Sequence, residues 1–147
     1  MQTTIRQGRP DDAVAVAGLL IQLGEVGHGQ PDPRVEDRFR SMLESPDYLL
    51  LVAENEGGQV IGLLDASQRW TLWHAGPCVL IEELVVDREA RRQGVGRALI
   101  EAAIDWARAQ GCSEIGLGTE TDNLSAQAFY RKLGFDSVSL LLEYEMD

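Results

Sequence analysis

The chain is expected to fold as one α/β (α+β) domain, and three features carry that expectation. Strand-like and helix-like segments alternate along its length, a nearly continuous apolar run at Cys78 to Val86 marks a strand inside a sheet, and residues 94 to 110 keep helical apolar spacing. With 147 residues, 44% of them apolar and 25% charged, the length suits a single core spanning 1–147 and is too short for two substantial ones.

Thr3 to Gln7 is the first expected strand. Pro10, Asp11 and Asp12 then supply a cap and an acidic first turn for a helix carrying Val14, Ala17, Leu20, Ile21 and Leu23 on one side. Breakers from Gly24 to Pro33, a stretch that includes His28, predict a loop. Val35, Phe39, Met42 and Leu43 mark a second amphipathic helix, stopped by Ser45-Pro46. Tyr48 to Glu54 and Gln59 to Gln68 read as the strands of a hairpin joined by Glu56-Gly57-Gly58. Residues 69 to 77 connect it to Cys78 to Val86, the expected central strand. In the next helix Val95, Ala98, Leu99, Ala102, Ala103, Trp106 and Ala107 share a face, and Gly111 stands where a helix commonly ends. Glu114 to Gly118 is a short strand. Asn123 to Gly134 is a helix with Ala126, Phe129, Tyr130 and Leu133 inward, and Ser137 to Glu145 is a last strand. The expected order is β-α-α-β-β-β-α-β-α-β, with no internal repeat and no interdomain linker.

Thirteen basic residues against 24 acidic ones give a formal net charge of −11. Binding to nucleic acid depends on cations that displace condensed counterions, so that partner is disfavoured, and anionic membrane surfaces are disfavoured with it. The amino terminus lacks a basic region followed by an apolar one, and no apolar run approaches the roughly 18 residues of a membrane span. A cytoplasmic protein is the expectation. Cys78 and Cys112 form no CxxC pair and suggest neither a disulfide scaffold nor a metal site.

Chemistry is written most densely after the central strand. Asp87-Arg88-Glu89-Ala90-Arg91-Arg92-Gln93-Gly94-Val95-Gly96-Arg97 is a basic loop with two glycines opening a helix. Glycines let a ligand approach the backbone, and the first N–H groups of a helix have no internal partner, so the segment suits an anion. It is neither of two familiar phosphate loops. No glycine here is followed by the Lys of GxxxxGK[ST], and Leu99 stands where a dinucleotide fingerprint has a third glycine or alanine.

The pattern R-x-x-G-x-G at Arg91 to Gly96, the strand before it, and Asn123-x-x-Ala126-x-x-Phe129-Tyr130-x-x-x-Gly134-Phe135 after it resemble the GNAT superfamily of acyl-CoA N-acyltransferases. The likeness is densest over residues 79 to 136, and the element order extends it to nearly the whole chain. It implies a mixed, twisted sheet flanked by helices, in which two parallel strands splay apart to admit the pantetheine arm of acetyl-CoA. Carried over to this sequence, Arg91, Arg92, Gln93, Gly94, Val95, Gly96 and Arg97 hold the pyrophosphate, chiefly through backbone N–H groups. Backbone groups of Leu84, Val85 and Val86 pair with the pantetheine amides, and Asn123 contacts the same arm while also serving as a helix cap. Tyr130 corresponds to the general acid for the departing thiolate, a role open to a phenol because it is protonated at neutral pH.

An ammonium acceptor must lose a proton before it attacks, and in the family the base is often an acid on the central strand. Glu82 is the first candidate because it shares a strand face with Leu80, while Glu83 points the other way unless a bulge intervenes. Trp70, Trp73 and His74 lie in a connection that often lines the acceptor pocket of such enzymes, and loop packing is the equal alternative for them. The activity implied is acetyl transfer to a primary amine, and the acidic surface favours a cationic small molecule such as a polyamine, an aminoglycoside-like compound or an amino-acid derivative. Two alternatives stand beside it: a non-catalytic acyl-CoA-binding sensor, and an acetyltransferase for protein amino groups. A homodimer is suggested by family analogy alone.

Overall fold

Five strands form one sheet in the order β1-β2-β3-β4-β5: Thr4–Gln7, Tyr48–Glu54, Val60–Arg69, Cys78–Val86 and Glu114–Leu117. The computed structural model describes residues 2–27 and 29–146, and the loop residue His28 lies outside them. The first four strands pair antiparallel, and β5 joins β4 in parallel. Among the described residues four α-helices accompany them: α1 (Ala13–Gly27), α2 (Val35–Leu43), α3 (Val95–Ala109) and α4 (Leu124–Lys132). This is the expected mixed sheet. β4 is interior to it, at the parallel junction, although β3 occupies the middle place.

Period-two alternation in the strands divides the core into two layers. Leu49, Leu51 and Ala53 of β2 face the layer built on Val95, Leu99, Ile100, Ala103 and Ala107 of α3. Leu50 and Val52 face the other layer, where Ala13, Val16 and Leu19 of α1 meet Phe39 of α2. Both faces of β2 are covered, which is why five successive residues of that strand can be apolar and buried. Gly62 on β3 sets how closely α3 approaches: a Cβ there would stand 3.1 Å from both Val95 and Leu99 side chains. The amino-terminal end is tied by Arg6 of β1, whose guanidinium donates to Asp12 at 2.8 and 2.9 Å and to Glu54 at 2.7 Å.

Three expectations need correction. First, α1 continues through Gly24 to Gly27, and the chain returns so closely that a Cβ on Gly24 would collide with the Gly29 carbonyl oxygen. A glycine read as a breaker is here a packing contact. Second, its buried stripe is Ala13, Val16 and Leu19, whereas Val14 and Ile21 are 68% and 54% exposed. Aliphatic residues occupy most of α1, so apolar spacing alone could not phase it. Third, no strand forms over 137–145, and among the described residues no hydrogen bond ties 137–146 to the rest of the chain. Alternation there has a strand period, but a strand exists only when another strand pairs with it. Among the described residues no helix is long and apolar enough to cross a membrane.

Candidate active site

The register between β3 and β4 decides where the two candidate bases point. Asp65 lies opposite Glu83 and Ala66 opposite Ile81, so Glu82 is the extra residue of a bulge. Ser67 pairs with Leu80, and Ser67 and Asp65 share one face of β3; Glu83 therefore takes the face of Leu80. Glu82 is exposed at the bulge, and Glu83 is half-buried beside Asp65.

Asp65 and Glu83 both line a cavity of about 400 Å³ between the sheet and the first two helices. Leu20 and Leu23 of α1, Phe39 and Met42 of α2 and Leu63 supply apolar walls, while Asp32 and Arg38 stand at its polar side. Arg34, through its side chain and backbone, holds the Asp32 carboxyl well below the usual carboxylate range. Asp65 behaves oppositely. Burial, then hydrogen bonding to and charge from Glu83, then the charge of Glu82, push its carboxyl up to about 9. Its Oδ1 is buried without a partner among the described residues. With Asp65 protonated beside the carboxyl of Glu83, the cavity wall at this point suits a cation.

On its other edge β4 is paired only in part. Contact with β5 runs from Cys78–Glu114 to Ile81–Leu117 and ends there, while β4 continues to Val86. Among the described residues Glu82 to Val86 thus have no strand partner on that side, and an extended amide-bearing arm fits such an edge as a short added strand. Gly118 comes directly after the last paired residue of β5, and a Cβ there would meet nothing within 4 Å. The edge leads directly to the loop before α3.

In that loop Arg92 has φ 64° and Gly94 φ 82°, two left-handed residues that curl the chain just ahead of α3. Such turns gather backbone N–H groups around an anion. Gly94 caps the helix without a side-chain bond, and Ala98 makes the first helical bond to the Gly94 carbonyl at 3.0 Å. The N–H groups of Val95, Gly96 and Arg97 are consequently free to donate to a ligand. Gln93 is exposed, and the Val95 side chain is buried in the α3 layer, leaving only its backbone for the site. The arginines differ: Arg91 donates to the Val86 carbonyl at 3.2 Å, Arg97 is engaged by Glu101 at 2.8 Å, and Arg92 has no ion pair among the described residues.

Helix α4 closes the same region. A Cβ on Gly96 would lie 3.7 Å from Val86 and 3.8 Å from the Phe129 ring, so strand, loop and α4 meet at that glycine. Asn123 caps α4, its Oδ1 accepting from the Ala126 N–H at 3.2 Å. Tyr130 is half-buried between Phe129 and Phe135, at ring-centroid distances of 5.3 and 6.1 Å, and burial pushes its phenol above the ordinary value. It therefore stays protonated throughout the neutral range.

Trp70, Trp73 and His74 are not among the residues lining the cavity. The two tryptophans are 71% and 91% exposed, at the end of the sheet where β4 and β5 begin. His74 is held there by the Thr71 hydroxyl at 2.8 Å and faces Glu114 at 3.5 Å, with the Cys78 thiol close to both. Asp65 was not among the expected site residues. It interrupts the apolar run Ile61 to Ala66 much as Glu82 and Glu83 interrupt β4, and the same signal of an acid inside a buried strand marks it.

A family model described as the acetyltransferase (GNAT) family matches residues 18–135. An aminoglycoside N(6')-acetyltransferase type 1 of Klebsiella aerogenes is 34% identical over 137 residues, covering 92% of this chain and 90% of that one. A solved aminoglycoside acetyltransferase from an uncultured soil metagenomic sample superposes with a TM-score of 0.82 at 26% identity, covering 100% of both chains. A transcriptional regulator from Bacillus halodurans C-125 superposes with a TM-score of 0.87 at 26% identity, covering 99% of this chain and 100% of that one. The opened β4–β5 junction and the glycine turn after it lie within the matched segment, and the class they define is that of acyl-CoA-dependent acetyltransferases. The chain belongs to the GNAT family.

Proposed function

We propose that the protein transfers the acetyl group of acetyl-CoA to a primary amine of a cationic small molecule, of polyamine, aminoglycoside-like or amino-acid type. The Asp65–Glu83 pair in the cavity wall carries this reading. An acceptor entering as an ammonium ion supplies the positive charge that two facing carboxylates lack, and apolar walls around them strengthen that attraction. Likeness to aminoglycoside acetyltransferases supports the same class of acceptor.

Acetyl-CoA brings an activated acetyl thioester. The N–H groups of Val95, Gly96 and Arg97 bind its pyrophosphate, aided by Arg92, while the free edge at Leu84, Val85 and Val86 holds the pantetheine amides. The Asn123 side-chain NH₂ is free to donate to that arm, since its Oδ1 is already committed to the cap. A backbone N–H near Leu84 polarises the thioester carbonyl. Glu83 takes a proton from the ammonium, directly or through a water. The neutral nitrogen attacks the thioester carbonyl, and the C–S bond breaks as the tetrahedral intermediate collapses. Tyr130 protonates the departing sulfur, and its phenolate is restored by the second proton, lost from the acylated nitrogen. Glu82, exposed at the bulge, adds negative charge beside the pair.

The test is a thiol-release assay with acetyl-CoA over a panel of amines. Turnover on di- and polycationic amines, with little on neutral amines of similar size, is the expected result. Turnover confined to neutral amines or to peptide amino groups would overturn the proposed acceptor class.

A further inference from the structure

The parallel pairing of β4 with β5 begins at Cys78 and Glu114, about 10 Å along the strand from Ile81, where the opening starts. At that closed end the chain brings three unlike donors together. A His74 ring nitrogen, the Cys78 sulfur and a Glu114 carboxylate oxygen all lie within 4.8 Å of one another. His74 Nε2 stands 3.5 Å from Glu114 Oε2. Tetrahedral zinc, with bonds of about 2.0 to 2.3 Å, sets its ligand atoms roughly 3.3 to 3.8 Å apart. One pair already has that spacing, and the sulfur needs to close on the others by no more than about 1.5 Å.

Each donor is also set from behind. His74 Nδ1 lies 2.8 Å from the Thr71 hydroxyl, which accepts from the His74 backbone N–H at 3.0 Å as well. An Nδ1–H donating to that oxygen leaves the lone pair on Nε2, the nitrogen facing Glu114. Ser113 Oγ lies 3.6 Å from the Cys78 sulfur and can donate to it as a thiolate. Backbone contacts hold the two strand starts in place. The Ser113 N–H donates to the Pro77 carbonyl at 2.9 Å, and a Cβ on Gly76 would collide with the Gly111 carbonyl oxygen. Cys78 is buried at the bottom, while the His74 and Glu114 side chains are 31% and 56% exposed, so an ion has a path in from solvent.

We propose that His74, Cys78 and Glu114 form a zinc site, with water in the fourth position. Thiolate, imidazole and carboxylate are donors that zinc accepts together, whereas magnesium and calcium call for oxygen alone. The charges balance: Cys78 releases its thiol proton to solvent, and with Glu114 it sets two negative charges against the two positive ones of the ion. No spacing motif marks the set, because Glu114 arrives on the neighbouring strand. Once bound, the ion ties the connection carrying Trp70 and Trp73 to the first residues of β4 and β5. It acts as a clip on β5, an edge strand held by four residue pairs on one side only. The site lies apart from the carboxylate cavity, so it stands independently of the acceptor proposed above.

After chelator treatment of the intact chain, calorimetry with zinc chloride should show one ion bound per chain at micromolar affinity or tighter. Cobalt(II) in its place should give a thiolate-to-metal charge-transfer absorption and the intense visible bands of a four-coordinate ion, both lost when zinc is added. Zinc should also raise Tm and slow amide exchange across residues 114–117. Cys78→Ser should abolish the charge-transfer band. His74→Gln and Glu114→Gln alter side chains partly in water and should fold as the parent does. Each should lower zinc affinity more than about tenfold, a loss usual even for residues that only orient a metal ligand. Absence of zinc binding at micromolar concentration, a cobalt spectrum without the thiolate band, or His74 and Glu114 variants that bind zinc as tightly as the parent would each overturn the proposal.

Discussion

Two carboxylates, Asp12 just ahead of α1 and Asp65 in the cavity wall, show how differently the same group is used. Asp12 is 7% exposed, accepts two bonds from the Arg6 guanidinium and one from the Arg9 N–H, and is held below the usual carboxylate range chiefly by Arg6. Asp65 is also largely buried, faces a second acid, leaves one oxygen without a partner, and is pushed far upward by burial. Asp12 completes a ring of interactions within the chain. Asp65 and Glu83 lack what Asp12 has, a cation, and the missing charge faces the cavity. An unsatisfied buried acid weakens a fold, so its presence points to a ligand that satisfies it.

The sharpest way to break this contrast is at the reacting groups. Glu83→Gln should lower turnover by about a hundredfold or more, the usual range for a lost general base, with little change in thermal stability. Tyr130→Phe should lower turnover by a similar factor while acetyl-CoA affinity, read by calorimetry, changes far less. An equal fall in both would remove Tyr130 from the acid role. At the structural acid the loss should appear in folding: Asp12→Ala removes two charged hydrogen bonds and leaves Glu54 as the acid facing Arg6, and should destabilise the protein by about 2 kcal/mol in denaturant titrations.

Asp65→Asn should act in the opposite direction. Because the folded carboxyl binds its proton up to about 9 while the unfolded one releases it near the ordinary 3.8, this group makes stability fall as pH rises through that window. Removing it should flatten the slope and raise Tm at pH 8 by a few degrees, about 1 kcal/mol, while weakening the binding of cationic amines. Asp12 contributes with the contrary sign, since its stabilisation is present above the ordinary carboxylate value and is lost on acidification. The smallest effect belongs to Glu82→Gln, expected to change turnover less than about threefold because the bulge leaves that side chain in water.

Strands and helices with a covered side were legible from periodicity, and the bounds of β2 and β4 are those expected. The loop at residues 91–97 was legible because glycine spacing and helix start are local facts. The facing of Glu83 was not, since it depends on a bulge defined by the pairing of two strands. Asp65 gains its character only across that same pairing. The stretch 137–145 shows the limit from the other side: alternation there has the period of a strand, but the residues stay exposed and no strand pairs with them among the described residues.

One missing methyl has a long reach. Gly62 lies on β3, outside the loop proposed to receive the phosphates, yet its bare Cα lets the first turns of α3 rest on the sheet through Val95 and Leu99. α3 has 15 residues, so it is a rod of about 22 Å with its amino-terminal end at the proposed phosphate site. A methyl on Gly62 would press on Val95, Leu99 and Ala53 and require them to give by a few tenths of an ångström directly beneath that end. Substitution at this β3 position is thus expected to change the affinity for acetyl-CoA without altering any residue proposed for the site.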